Sequence, residues 1–223
     1  MSVRLVVRAL SELCITVGAV LVLFVGYVLY WSGVRADAAM DEQLDRLRDR
    51  WSTGAVATSP EPRRRPYAPG EPFAAMYVPR FGADWVKPVL EGTSPGTLAK
   101  GLGHYPRTAR LGERGNFAVA GHRRTHGDPF KDFPRLRPGD AVVLSDGTTW
   151  YTYRVDRRPY RTRPTDTAVL DPVPAASGHR RPGRYLTLTT CDPEWGHSHR
   201  LIAWAHLDAT APVGAGKPDA LRS

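Results

Sequence analysis

The residues that most restrict the fold are 185–207. Tyr185-Leu186-Thr187-Leu188-Thr189-Thr190-Cys191 is followed by a polar insert and then by Arg200-Leu201-Ile202-Ala203-Trp204-Ala205. Both arms are built of β-branched, aromatic and Leu residues, the composition of buried strands. Asp192-Pro193 and Gly196 supply turn chemistry between them, so the arms are strands and the insert is not. Cys191 then ends one strand and Arg200 opens the next. If the two strands pair or neighbour one another, a thiol and a fixed cation meet at one end of a sheet. A guanidinium there favours the thiolate, the nucleophilic form of cysteine. The competing reading is a small buried hydrophobe, the ordinary condition of a free cysteine.

Gly and Pro, 21 and 20 of the 223 residues, are frequent enough to favour a loop-rich β fold over helices. Strand candidates fall at 75–79, 85–90 and 116–120. A hairpin spans 140–144 and 149–155 around Ser145-Asp146-Gly147. Residues 93–102 carry a helix start, with Ser94 as N-cap and Pro95 in the first position. The Pro-rich connection 161–183 is longer than structural loops usually are, which makes it a candidate functional segment. Seven or eight short strands with one or two helices predict a mainly β, closed or nearly closed barrel over residues 73–209. A flexible tail, 210–223, is expected after it.

Residues 13–31 are nineteen positions without a charge. At ~1.5 Å per residue they span about 28 Å, enough for the hydrocarbon core of a bilayer. Tyr27, Tyr30 and Trp31 gather at the C-terminal end as an interfacial belt would. An uncleaved anchor is favoured over a secretory signal peptide, whose apolar region is shorter; Val34-Arg35-Ala36 is a poor cleavage site. Residues 1–35 therefore read as a short N-terminal tail and transmembrane anchor. Arg4 and Arg8 precede the span while Arg35, Arg46, Arg48 and Arg50 follow it, so the basic residues do not set its orientation. Residues 36–72 read as a juxtamembrane helix, 37–51, and a Pro/Arg-rich linker containing Arg63-Arg64-Arg65.

The net charge of +9 is carried almost wholly by scattered Arg, and no nucleic-acid motif accompanies it, so no nucleic-acid partner is expected. Two cysteines, one of them (Cys14) inside the apolar run, exclude a disulfide framework in the remainder. Of seven histidines, His122 stands out because it follows the strand candidate Phe117-Ala118-Val119-Ala120 across Gly121. A His and a Cys at the ends of separate strands is the arrangement nucleophilic thiol catalysis uses. A zinc site from His122 and His126, or from His197 and His199, with Cys191 is the weaker alternative, because no CxxC accompanies it. No metal or other cofactor is expected. His104, His179 and His206 read as ordinary surface or strand histidines.

Thr187-Leu188-Thr189-Thr190-Cys191, with Arg200 opening the next strand, resembles the Thr-Leu-x-Thr-Cys signature of sortases, the membrane-anchored cysteine transpeptidases of Gram-positive surfaces. The resemblance runs over residues 73–208 and includes Gly103-His104-Tyr105-Pro106, Ala120-Gly121-His122-Arg123 with Thr125-His126-Gly127, and Leu136-Arg137-Pro138-Gly139-Asp140. Within the family the pattern is most similar to class E, the actinobacterial housekeeping group; Arg107 departs from it where a Gly is usual. The resemblance implies an eight-stranded β-barrel and a catalytic set of His122, Cys191 and Arg200. It implies cleavage of the Thr–Gly bond in a C-terminal Leu-x-x-Thr-Gly sorting signal and transfer to an amine of a peptidoglycan precursor. Its partners would be sorting-signal-bearing surface proteins and that precursor. Tyr105 and Thr190 are candidate substrate contacts, Tyr105 for a Leu-Ala over Leu-Pro preference. The resemblance also implies an N-in, C-out anchor with an extracytoplasmic catalytic domain. A tethered thiol hydrolase and a non-catalytic binding barrel are the remaining alternatives.

Overall fold

The computed structural model describes residues 3–53 and 66–222, with the side chains of 28–32 outside the description. The side chains of the belt positions Tyr30 and Trp31 lie outside the description, and the Arg63–Arg65 run of the spacer lies outside the described residues. Among the described residues nine strands form one sheet: β1 (Pro72–Tyr77), β2 (Val86–Glu91), β3 (Leu102–His104), β4 (Gly115–Ala120), β5 (Ala141–Ser145), β6 (Thr149–Val155), β7 (Tyr160–Thr162), β8 (Arg184–Asp192) and β9 (His199–Pro212). Their order is β6-β5-β1-β2-β3-β4-β8-β9-β7, and β6 also pairs with β9. Eight strands thus close a ring, and the short β7 is added to β9 outside it. Closure is possible because β9 is long. Its first half pairs with β7 and β8, and its second half pairs with β6 across a bulge at Thr152/Tyr153.

Alternation decides which side chains fill the ring. On the central strands Phe117, Val119, Leu186, Leu188, Leu201 and Ala203 point inward and join one core. The opposite, outer face carries Ala118 and Ala120 on β4, Thr187 and Thr189 on β8, and Ile202 and Trp204 on β9. The connection 163–183 covers much of that face. Val169 packs with Ile202 and Trp204, and its carbonyl accepts from Trp204 Nε1 at 3.2 Å. Asn116 Nδ2 donates to Asp171 O at 3.0 Å and Asn116 Oδ1 accepts from Thr187 Oγ1 at 2.8 Å. The long loop therefore seals the lower part of the outer face and leaves its upper end open.

Several elements differ from their expected bounds. The helix expected over 93–102 is a single turn, α2 (Pro95–Leu98), capped by Ser94 Oγ accepting from Thr97 N at 3.2 Å. Leu102 is drawn instead into β3, paired with Val89 of β2 and fully buried, a case of tertiary pairing overriding local helix preference. The tail expected to be flexible continues β9 to Pro212 and then makes two 3-10 turns, with Val213 N donating to Thr148 O at 2.8 Å.

The anchor and juxtamembrane helix, expected as separate pieces, are one helix, α1 (Val3–Ser52). Residues 32–36 contain no Pro, and a single Gly33 costs a helix only ~1 kcal/mol. Val3–Tyr27 is long and apolar enough to cross a membrane, consistent with single-pass anchoring. Farther on, Ala36, Met40, Leu44 and Leu47 recur every three or four residues and are buried against the barrel. Leu44 and Leu47 meet Ala75, Tyr77 and Val86, Asp37 reaches Lys87 at 3.7 Å, and Arg50 bonds the Pro72 carbonyl. Trp51 lies on Gly147, where any Cβ would collide with the indole at 2.2 Å. Leu47 is only 1% exposed. Leu47→Ala is expected to weaken this docking by about 2–4 kcal/mol, read as faster amide hydrogen exchange over residues 40–51 with β4 and β8 unchanged.

Candidate active site

Register brings the sequence-selected residues together. β4 and β8 run parallel with Ala120 opposite Thr189, and Gly121 N donates to Thr189 O at 3.1 Å to carry the ladder one step further. His122 lies two residues beyond Ala120, and Cys191 two beyond Thr189, so both fall on the outer face at the same level. β8 and β9 are antiparallel, with Cys191 directly opposite Arg200. Three adjacent strand ends thus present His122, Cys191 and Arg200 on one rung, above the part of the face that 163–183 covers. Gly121 is required for this approach, since a Cβ there would sit 2.6 Å from Phe130 and 2.7 Å from Leu102.

Cys191 is partly exposed and carries no disulfide. With His122, Thr125, Glu194, Trp195 and His197 it lines a cavity of ≈ 270 Å³. Burial holds the His122 imidazole below the usual histidine range, and the neighbouring His126, its ring stacked at 4.6 Å, lowers it further. Arg200 is held by Nη1, which donates to the carbonyls of His197 at 3.1 Å and His199 at 3.0 Å. Its Nε and Nη2 bond no described residue.

Tyr105 reaches the same face, its hydroxyl 3.0 Å from Thr189 Oγ1. Thr190 does not. Its side chain is buried on the other face, and Oγ1 donates to Gly121 O at 2.8 Å, so it braces the junction of β4 and β8 rather than lining the groove. Arg107 is exposed. His104 is not at the surface: it is buried in β3, with Nδ1 2.6 Å from Glu91 and its ring stacked on Phe117. His179 and His206 both bond Asp156. No group of three potential metal ligands occurs among the described residues.

Further residues that the sequence did not single out frame the rung. Asp192, next to the thiol, takes Arg123 Nη1 at 2.5 Å and Arg161 Nε at 2.6 Å, one from beyond β4 and one from β7. Arg124 bonds Glu194 and reaches Asp128 at 3.2 Å. The loop after His122 passes through Thr125, His126 and Asp128 at positive φ, a conformation costing about 1–3 kcal/mol per residue. These ion pairs are what hold it. Arg123 directly follows His122 and Asp192 directly follows Cys191, so their pairing was implicit in the strand register.

The closed barrel thus presents a thiol, an imidazole and a guanidinium on one rung. Comparison with known proteins gives the family. The Sortase domain family matches residues 76–208, and the chain belongs to the sortase family, closely matching its class E members. Sortase SrtE1 of Streptomyces coelicolor is 40% identical over 225 residues, covering 97% of this chain; the chain spans 61% of that relative's length. The structure of sortase E from Streptomyces avermitilis is 69% identical, with a TM-score of 0.67, over 70% of this chain and 100% of that one. Sortase E1 from Streptomyces coelicolor, solved with a tripeptide in the active site, is 40% identical, with a TM-score of 0.64, over 70% of this chain and 99% of that one.

Because the neighbouring His126 lowers the His122 pKa, His126→Ala is expected to raise it. Burial, the larger cause, remains, so the value should stay below the ordinary ~6.5. Histidine-selective NMR titration measures both.

Proposed function

We propose that this protein is a membrane-anchored cysteine transpeptidase of the sortase type. It cleaves the Thr–Gly bond of a C-terminal Leu-Ala-x-Thr-Gly or Leu-Pro-x-Thr-Gly signal and transfers the Thr acyl group to an amine of a cell-wall precursor. The observation that carries this reading is the shared rung of His122, Cys191 and Arg200 on the open end of the outer face, in a chain of this family. α1 runs N-in, C-out, placing the barrel with surface proteins and the precursor amine outside the cell.

The Cys191 thiolate attacks the Thr carbonyl carbon, and the developing oxyanion takes N–H donors from Arg200 Nε and Nη2. The His122 imidazolium gives its proton to the departing Gly nitrogen, the C–N bond breaks, and a thioester remains on Cys191. The acceptor amine attacks the thioester and neutral His122 takes its proton. The amide forms and the thiolate is regenerated. Burial, with His126 beside it, lowers the His122 pKa and so disfavours the imidazolium that the leaving-group step requires. Tyr105, bonded to Thr189 on this face, borders the position that distinguishes Leu-Ala from Leu-Pro signals.

The test incubates the full chain with a quenched Leu-Ala-Asn-Thr-Gly peptide and a Gly-based amine and identifies products by mass spectrometry. Cleavage between Thr and Gly, with the amine joined to Thr, is expected; Cys191→Ala should abolish it. Arg200→Lys should lower kcat about 10²–10³-fold, the effect of removing an oxyanion donor. Tyr105→Phe should narrow the Leu-Ala over Leu-Pro ratio by about three- to tenfold, the worth of one hydrogen bond. Cleavage with water as sole acceptor would replace the transpeptidase reading with a thiol hydrolase.

A further inference from the structure

We infer that the β8–β9 loop, through Trp195, rests in the lipid headgroup layer of the bilayer that α1 crosses, so that the Cys191 cavity opens at the membrane surface. The inference rests on α1 being a retained anchor. α1 is continuous from its apolar part into the part docked on the barrel. Contacts at both ends of the docked part fix which end of the barrel faces the apolar end. Asp37 and Met40 lie against Gly127, in the loop that follows His122, while Trp51 lies on Gly147 in the β5–β6 turn. Residues 37 and 51 are about 21 Å apart along the helix. The catalytic rung is therefore at the membrane-proximal end, and the β5–β6 turn is at the distal end.

A second cavity abuts the Cys191 cavity and shares Arg124, Thr125 and Trp195 with it. Its remaining wall includes Gly33 and Asp37 of α1. Gly33 is two residues beyond Trp31, the last position of the apolar run, or about 3 Å along the helix. The headgroup layer extends about 5–7.5 Å beyond the hydrocarbon on each side. Trp195 thus stands at the level of the outer headgroups. It is 71% exposed, and every other exposed large hydrophobic side chain among the described residues belongs to α1. The Arg124 guanidinium lies over the ring at 4.9 Å, so the ring has an apolar body with a cation beside it. Tryptophan is enriched at this depth because its amphipathic ring suits the boundary between headgroup and acyl chain. Continuity with the helix that enters the same leaflet makes lipid the occupant, rather than a second copy of the chain.

The full chain, labelled with fluorotryptophan, is placed one copy per nanodisc, with and without lipid carrying a nitroxide on its headgroup, and read by fluorine NMR. Trp195→Phe, or Trp195→Tyr if Phe perturbs folding, assigns its resonance by loss; Trp31→Phe and Trp51→Phe assign the references. The expected result is that Trp195 loses most of its intensity to the nitroxide, as does Trp31, while Trp51, about 27 Å farther along α1 than Gly33, keeps its own. Loss at Trp31 with Trp195 as sharp as Trp51 overturns the inference and leaves the anchor standing. Intensity retained at both Trp31 and Trp195 overturns the anchor and the inference together. The measurement reads no activity, so neither outcome depends on the transpeptidase reading.

Discussion

Two hydrogen bonds, from Gly121 N to Thr189 O and from Thr190 Oγ1 to Gly121 O, terminate the parallel pairing of β4 and β8, and the chemistry of the barrel follows from where they leave the chain. A parallel ladder advances both strands in the same direction, so the residues just past its end emerge side by side. His122 and Cys191 are those residues. The antiparallel β9 then returns with Arg200 opposite the thiol. Shifting any of these pairings by one residue would turn a side chain to the opposite face. The rung exists in one register only.

Charge pairing holds that register open against its own strain. The loop after His122 carries three non-glycine residues in left-handed conformations, and Arg123 and Arg124 tie it to Asp192 and Glu194 on the other side of the thiol. Asp192 also takes Arg161 of β7, linking the strand that carries Cys191 to the start of the long connection that covers the outer face. A partly buried carboxylate between two guanidiniums is costly to disrupt, because removing it leaves cations without partners. His126, stacked on His122, works in the other direction, lowering the basicity of the imidazole beneath it.

The sequence displayed the barrel through its strand composition, its turn residues and the two arms around Cys191. The strands of 185–190 and 201–207, the 140–155 hairpin and the Ser94 cap could be read locally because each depends on near neighbours. β7 and the length of β9 could not, since three residues at Tyr160–Thr162 become a strand only by lying against Leu201. His104 was legible as a strand residue but not as a buried one; its partner Glu91 is thirteen positions away. Thr190 adjoins Cys191 in the signature, yet strand alternation turns it to the opposite face. The unbroken helix α1 was hidden for a similar reason: the residues that keep 37–51 helical do so by fitting the barrel, which composition does not reveal.

Whether Cys191 attacks as a nucleophile served by its rung is tested most directly by a trapped acyl-enzyme. The full chain incubated with a Leu-Ala-Asn-Thr-Gly peptide and no amine, quenched in acid and read by intact mass and peptide mapping, should carry the peptide's Thr acyl group on Cys191. The adduct should be labile to hydroxylamine, as a thioester is. A folded protein that forms no such adduct, and whose Cys191 resists alkylation, would contradict nucleophilic catalysis and leave Cys191 as a packing residue at the end of β8.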